Sequence, residues 1–133
     1  MTGAMPAAPH DPARPAVLVV EDQAIIRLDL ATELGRSGFE VIEAGDGETG
    51  LRLFCEHPEI DAAVLDIDLP GPLNGYDITR AIRRIRPRCT VIIISGMSFV
   101  MPADFDEHVV VESKPLDIAK IALVLRMRYA DGI

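Results

Sequence analysis

Five short apolar runs at fairly even intervals constrain this chain more than any other feature. They occupy residues 16–20, 39–44, 62–66, 91–95 and 109–112. AVLVV and VIIIS hold no alternating polar residues, the pattern of strands covered on both faces. Between the runs lie segments with helical spacing. Residues 23–36 carry Ile25, Ile26, Leu28, Leu30 and Leu34 and are stopped by Ser37-Gly38. Residues 48–57 turn Leu51, Phe54 and Cys55 inward, 76–86 are closed by Pro87, and 117–130 form the last helix. Residues 97–108 leave room for only a turn or two of helix after Pro102. Such alternation gives βα units with right-handed crossovers on a parallel sheet. The expected fold is α/β, a doubly wound five-stranded parallel sheet flanked by helices, the fourth of them shortened.

Composition narrows the function classes. The 133 residues suit one domain. Residues 1–15 hold four of the ten prolines and no run of large apolar side chains, so they read as a flexible tail before a domain at 16–130. A hydrophobic content of 49% excludes a disordered chain. No apolar stretch approaches the roughly 18–20 residues of a membrane span. The N-terminus lacks a secretory signal, which implies a cytoplasmic protein that keeps Cys55 and Cys89 reduced. A net charge of −8 argues against direct nucleic-acid binding.

In a doubly wound sheet, ligands bind at the carboxyl ends of the strands. The first run ends in Glu21-Asp22, the third in Asp66 with Asp68 just beyond, the fourth in Ser95-Gly96, and the fifth in Ser113-Lys114-Pro115. Taken alone, Asp22 reads equally well as a helix N-cap, Ser95 as a turn residue and Lys114 as a solvated charge. Together they read as a site. Two unit charges 4 Å apart repel by roughly 4 kcal/mol at an effective dielectric near 20, so Glu21, Asp22 and Asp66 call for a cation. Mg²⁺ suits one or two carboxylates with waters and phosphate oxygens completing its shell. Of thirteen basic residues only Lys114 and Lys120 are lysine, so a lysine beside the acidic rim points to a compact charge on a flexible stem.

VLVVEDQ, LDIDLPGPLNGYD, IIISG and ESKP, in that order and at matching strand ends, resemble the receiver domain of two-component response regulators over about residues 16–130. The resemblance implies a flavodoxin-like fold in which Asp66 is the phospho-acceptor. It implies a Mg²⁺ site made by Glu21, Asp22, Asp66 and the main-chain carbonyl of Asp68. Ser95 and Lys114 would complete the catalytic set, and Lys114-Pro115 would be a cis peptide. The implied protein is a phospho-accepting signalling protein that catalyses only its own phosphorylation and dephosphorylation. Its donor would be a histidine kinase or a histidine phosphotransfer protein. The sequence departs from the family in four places: Val111 stands where Tyr or Phe is frequent, Glu112 where an aliphatic is common, the span from Ser95 to Lys114 is short, and LPGPLNG is one residue longer than the commonest form of this loop.

Two other readings stay open on the sequence: a flavodoxin-like cofactor binder and a phosphatase with an aspartyl nucleophile. Arg80, Arg83, Arg84, Arg86 and Arg88 read as a solvated cluster at a helix C-terminus. His10, His57 and His108 stand too far apart to suggest a metal site. In the last helix Ile118, Ile121, Ala122, Leu125 and Tyr129 should face the sheet, leaving Leu116, Leu123 and Met127 on another side. With Met97, Phe99, Val100 and Met101 these would form an exposed apolar surface. The expectation is a stand-alone receiver that signals to a downstream protein partner or drains phosphate. A homodimer could form through the face made by the fourth helix, fifth strand and last helix. Lacking a ring at position 111, the switch would run through Ser95 and residues 96–101.

Overall fold

The computed structural model describes residues 13–96 and 100–130. The tail expected at 1–15 lies outside them as far as position 12, as do Met97 and Phe99. Among the described residues the order is β1 (Ala16–Val20), α1 (Ala24–Arg36), β2 (Glu40–Ala44), α2 (Gly47–Glu56), β3 (Ile60–Asp66), α3 (Gly75–Ile85), β4 (Thr90–Ser95), β5 (Val109–Ser113) and α4 (Ile118–Ala130). The strands pair in parallel in the order β2-β1-β3-β4-β5. This is the expected doubly wound sheet.

Alternation along the strands divides the core in two. Leu18, Val20, Ala63, Leu65, Val91 and Ile93 face α2 and α3, meeting Phe54, Ile78 and Ile82. Val17, Val19, Val64, Ile92 and Ile94 face α1 and α4, meeting Leu30, Leu34, Ile121 and Leu125. Continuous apolar runs arise because each strand must fill both layers.

Local chemistry sets the helix ends. Asp46 accepts the Thr49 N–H at 2.7 Å and caps α2. Asn74 and Asp77 form a reciprocal capping box on α3. Gly38 takes φ 98°, a left-handed conformation that lets the chain leave α1 for β2. The N-cap of α1 is Gln23, without a side-chain hydrogen bond. Asp22 is therefore not the cap of α1.

Several expectations need correction. No helix stands between β4 and β5 among the described residues: positions 100–108 form turns where a shortened fourth helix was expected. Turn chemistry is the cause. Phe105 N–H bonds the Pro102 carbonyl, Val109 N–H bonds that of Asp106, and the Asp106 side chain accepts the His108 N–H. Cys55 is exposed, because Phe54 takes the inward position beside it. Leu116, expected on the outer side, packs against the inner cluster. Glu112 lies within β5, its carboxylate 3.1 Å from Lys120 Nζ, so the pairing compensates the cost of a mostly buried acid.

The arginines are not one solvated cluster. Arg86 lies over the Phe54 ring at 3.8 Å and donates to the Ile60 and Phe54 carbonyls. Arg83 donates to the Pro87 and Cys89 carbonyls and pairs with Asp106 at 2.6 Å. Arg80 pairs with Asp104 at 3.2 Å and lies near the faces of Tyr76 and Phe105. The Arg80 and Arg83 contacts fasten Asp104, Phe105 and Asp106 to α3. Arg84 and Arg88 are exposed.

Candidate functional site

The carboxyl ends of β1, β3, β4 and β5 converge on one rim. Neighbouring strands β1 and β3 deliver Glu21, Asp22 and Asp66, which each place an oxygen within 4.8 Å of the others. Glu21 and Asp66 are buried and Asp22 is exposed, so the cluster opens to solvent on one side. Asp66 closes β3, with Ile67 N–H continuing the ladder onto the Ile94 carbonyl. From the far side of β4, Lys114 brings Nζ to 3.3 Å from Asp66 Oδ2. Lys114 N–H bonds the Ser95 carbonyl at 2.8 Å, which holds the lysine at the sheet end, and the Lys114-Pro115 bond is cis.

Backbone donors set the two buried carboxylates. Asp68 N–H donates to Asp66 Oδ1 at 2.9 Å, and Gln23 N–H donates to Glu21 Oε2 at 3.0 Å. Burial pushes the Glu21 carboxyl up to about 7; the Gln23 N–H opposes this, and the Asp22 and Asp66 carboxylates add to it. A carboxyl raised by burial and like charge is stabilised as the anion by a bound cation. The donor set, three carboxylate oxygens on a solvent-open rim, fits a hard divalent ion such as Mg²⁺. The Asp68 side chain stands outside that set.

Ser95 is buried at the end of β4, and its hydroxyl donates to the Gly96 carbonyl at 3.1 Å rather than toward Asp66. The rim thus holds a nucleophile-type carboxylate, an acidic pair, an ammonium and a hydroxyl. A match to the response regulator receiver domain family covers residues 17–122. The chain belongs to the response regulator receiver family.

This receiver is similar to the transcriptional regulatory protein AfsQ1 of Streptomyces coelicolor, 34% identical over 119 residues that make up 84% of this chain and 52% of the relative. It spans about half the length of the curated relatives it first matches. Among solved structures it is similar to a receiver domain protein from Clostridium thermocellum, with 28% identity, a TM-score of 0.75 and coverage of 87% of this chain and 94% of that one. It is also similar to a chain of the CheX–CheY–BeF₃–Mg²⁺ complex from Borrelia burgdorferi, at 26% identity, a TM-score of 0.70 and coverage of 86% and 88%. Membership in the receiver family sets aside the cofactor-binder and phosphatase readings.

Two features of the receiver site are not legible in its sequence. A Cβ on Gly75 would stand 2.6 Å from the Asp66 carbonyl oxygen and from Ile67 Cα, so only glycine lets the start of α3 press on the end of β3. The buried Thr79 hydroxyl fixes that turn by donating to the Gly75 carbonyl at 2.7 Å. Arg27 is the other, reaching back from α1 to the Glu21 carbonyl at 2.7 Å.

Proposed function

We propose that Asp66 accepts a phosphoryl group from the phosphohistidine of a histidine kinase or a histidine phosphotransfer protein. An Asp66 oxygen attacks phosphorus in line; the new P–O bond forms as the donor P–N bond breaks, and the departing imidazole nitrogen keeps the electron pair and takes a proton. Glu21, Asp22, Asp66 and the Asp68 carbonyl would hold Mg²⁺, which supplies positive charge to the phosphoryl oxygens. Lys114 stabilises one of those oxygens with its ammonium. Ser95 turns its hydroxyl from the Gly96 carbonyl to a third. The same groups, with water attacking the phosphorus, return Asp66 to its free state, so the protein acts only on its own phosphoryl group.

The observation that carries this reading is the gathering of Glu21, Asp22 and Asp66 oxygens within 4.8 Å, with Lys114 Nζ 3.3 Å from Asp66. Gathering three acids, two of them buried, costs stability unless a cation offsets their charge. The test is incubation with acetyl phosphate and Mg²⁺, followed by mapping of the modified residue by mass spectrometry. An acid-stable, base-labile phosphate on Asp66, absent without a divalent ion, is expected. Uptake at the same rate by Asp66→Asn would overturn the assignment.

The partner surface belongs to the same proposal. Val100, Met101, Leu123 and Met127 are exposed, from 42% to 76%. We place a contact surface for a homodimer or a downstream protein partner on α4, β5 and the segment before β5, where these residues are exposed. No helix is long and apolar enough to cross a membrane among the described residues. The receiver itself works in the cytoplasm without touching nucleic acid.

A further inference from the structure

We propose that Arg27 is a positioning residue for the metal-binding acids. The inference rests on the metal-dependent phospho-acceptor reading above. Arg27 Nη1 donates to the Glu21 carbonyl at 2.7 Å, a short charge-assisted bond to the residue that begins the acidic pair. Its Nε lies 3.6 Å from Glu43 Oε1 on β2, whose partner in the β1 ladder is Val19. The guanidinium therefore spans two strands at the edge of the site. Room for it comes from Gly45, where a Cβ would approach Nη1 to 3.3 Å.

The consequence follows from what already holds Glu21. Its N–H bonds the Ala44 carbonyl at 3.0 Å, and Arg27 takes its C=O, so both sides of the residue are fixed. The peptide that carries Glu21 into Asp22 cannot then rotate freely. Both carboxylates are thereby aimed at Asp66 before any ion arrives. Glu43 in turn aims the guanidinium of Arg27, whose side chain is three-quarters covered. A lysine at position 27 would keep the charge and lose the fork, because one ammonium lacks the planar geometry that meets two acceptors at once. Partners that orient metal-ligating groups typically change metal affinity 10–100-fold when removed.

The test compares wild type with Arg27→Lys, Arg27→Ala and Glu43→Gln. Mn²⁺ affinity is measured on the unphosphorylated protein by titration calorimetry, alongside the metal-free melting temperature. The phosphorylation rate with acetyl phosphate is then followed against Mg²⁺ concentration. Arg27→Ala and Arg27→Lys should weaken Mn²⁺ binding about tenfold, with a smaller loss in Glu43→Gln. The Mg²⁺ concentration for half-maximal rate should rise, while the rate at saturating Mg²⁺ stays near that of wild type. Variants that bind Mn²⁺ as wild type does and only melt earlier overturn the proposal, leaving Arg27 a structural fastener. Full affinity in Arg27→Lys overturns the fork. If Arg27→Ala fails to fold, Arg27→Lys and Glu43→Gln decide alone. A wild type that binds no divalent ion sinks the metal reading as well, so the two failures are distinguishable.

Discussion

Lys114 Nζ stands 3.3 Å from Asp66 Oδ2, although 48 positions separate the two residues in the chain. The ammonium already lies where negative charge would grow on a phosphoryl oxygen. Lys114→Met should therefore slow phosphorylation from acetyl phosphate by about 10²-fold, with Mn²⁺ affinity kept within severalfold. Stopped-flow rates and calorimetry check the split. A loss confined to metal affinity would remove the catalytic role from Lys114.

Glu21 gives the metal-free protein a pH dependence of definite sign. Its carboxyl is raised from the ordinary 4.5 to about 7 in the folded chain, mainly by burial. Between those values the folded state holds the proton more tightly than the unfolded state does. Stability from this group is therefore greatest below about 4.5 and is lost as pH rises toward and through 7. Melting temperatures in a chelator should fall over that window, and Glu21→Gln should flatten the fall. An equal slope in the variant would assign the effect to other groups.

Gly75→Ala places a methyl group against backbone atoms of Asp66 and Ile67 at 2.6 Å. Neither neighbour is the flexible end of a side chain, so α3 or the end of β3 must shift. A cost of about 1–3 kcal/mol is expected in urea unfolding. Slower phosphorylation should accompany it, because the acceptor strand moves. Unchanged kinetics in a destabilised variant would separate the helix contact from the chemistry.

Leu123→Glu/Met127→Glu alters side chains that are half or more exposed, and its effect on stability should stay within about 0.5 kcal/mol. If the apolar face mediates self-association, light scattering of the phosphorylated wild type will show a dimer that the double variant lacks. A wild type monomeric at high concentration, phosphorylated or not, leaves the face to a heterologous partner.

Strand positions and the rim were legible because each apolar run is followed directly by its polar payload, as in Val20 before Glu21 and Leu65 before Asp66. Periodicity also gave the buried stripe of α4. It did not give the partners of long polar side chains. Arg86 over Phe54 and Arg83 beside Asp106 use a flexible apolar stem to reach groups that helix spacing does not encode. Cys55 failed for a related reason, since Phe54 fills the inner face of α2, with Leu51 and Leu53 packed partly buried beside it. The value of Gly75 depends on a close approach between segments, which no local pattern carries.

The stretch between β4 and β5 covers its part of the sheet with turns, and charge does much of the fastening. Phe105 packs inward, but the grip on α3 comes largely from Arg80 with Asp104 and Arg83 with Asp106. Elsewhere the outer layer is held by buried aliphatic side chains, which salt does not loosen. Exposed ion pairs weaken as the Debye length shrinks from about 10 Å at 0.1 M to about 3 Å at 1 M. This corner, which runs from Val100 and Met101 to α3, is thus a part of the described structure whose hold on the fold weakens as ionic strength rises.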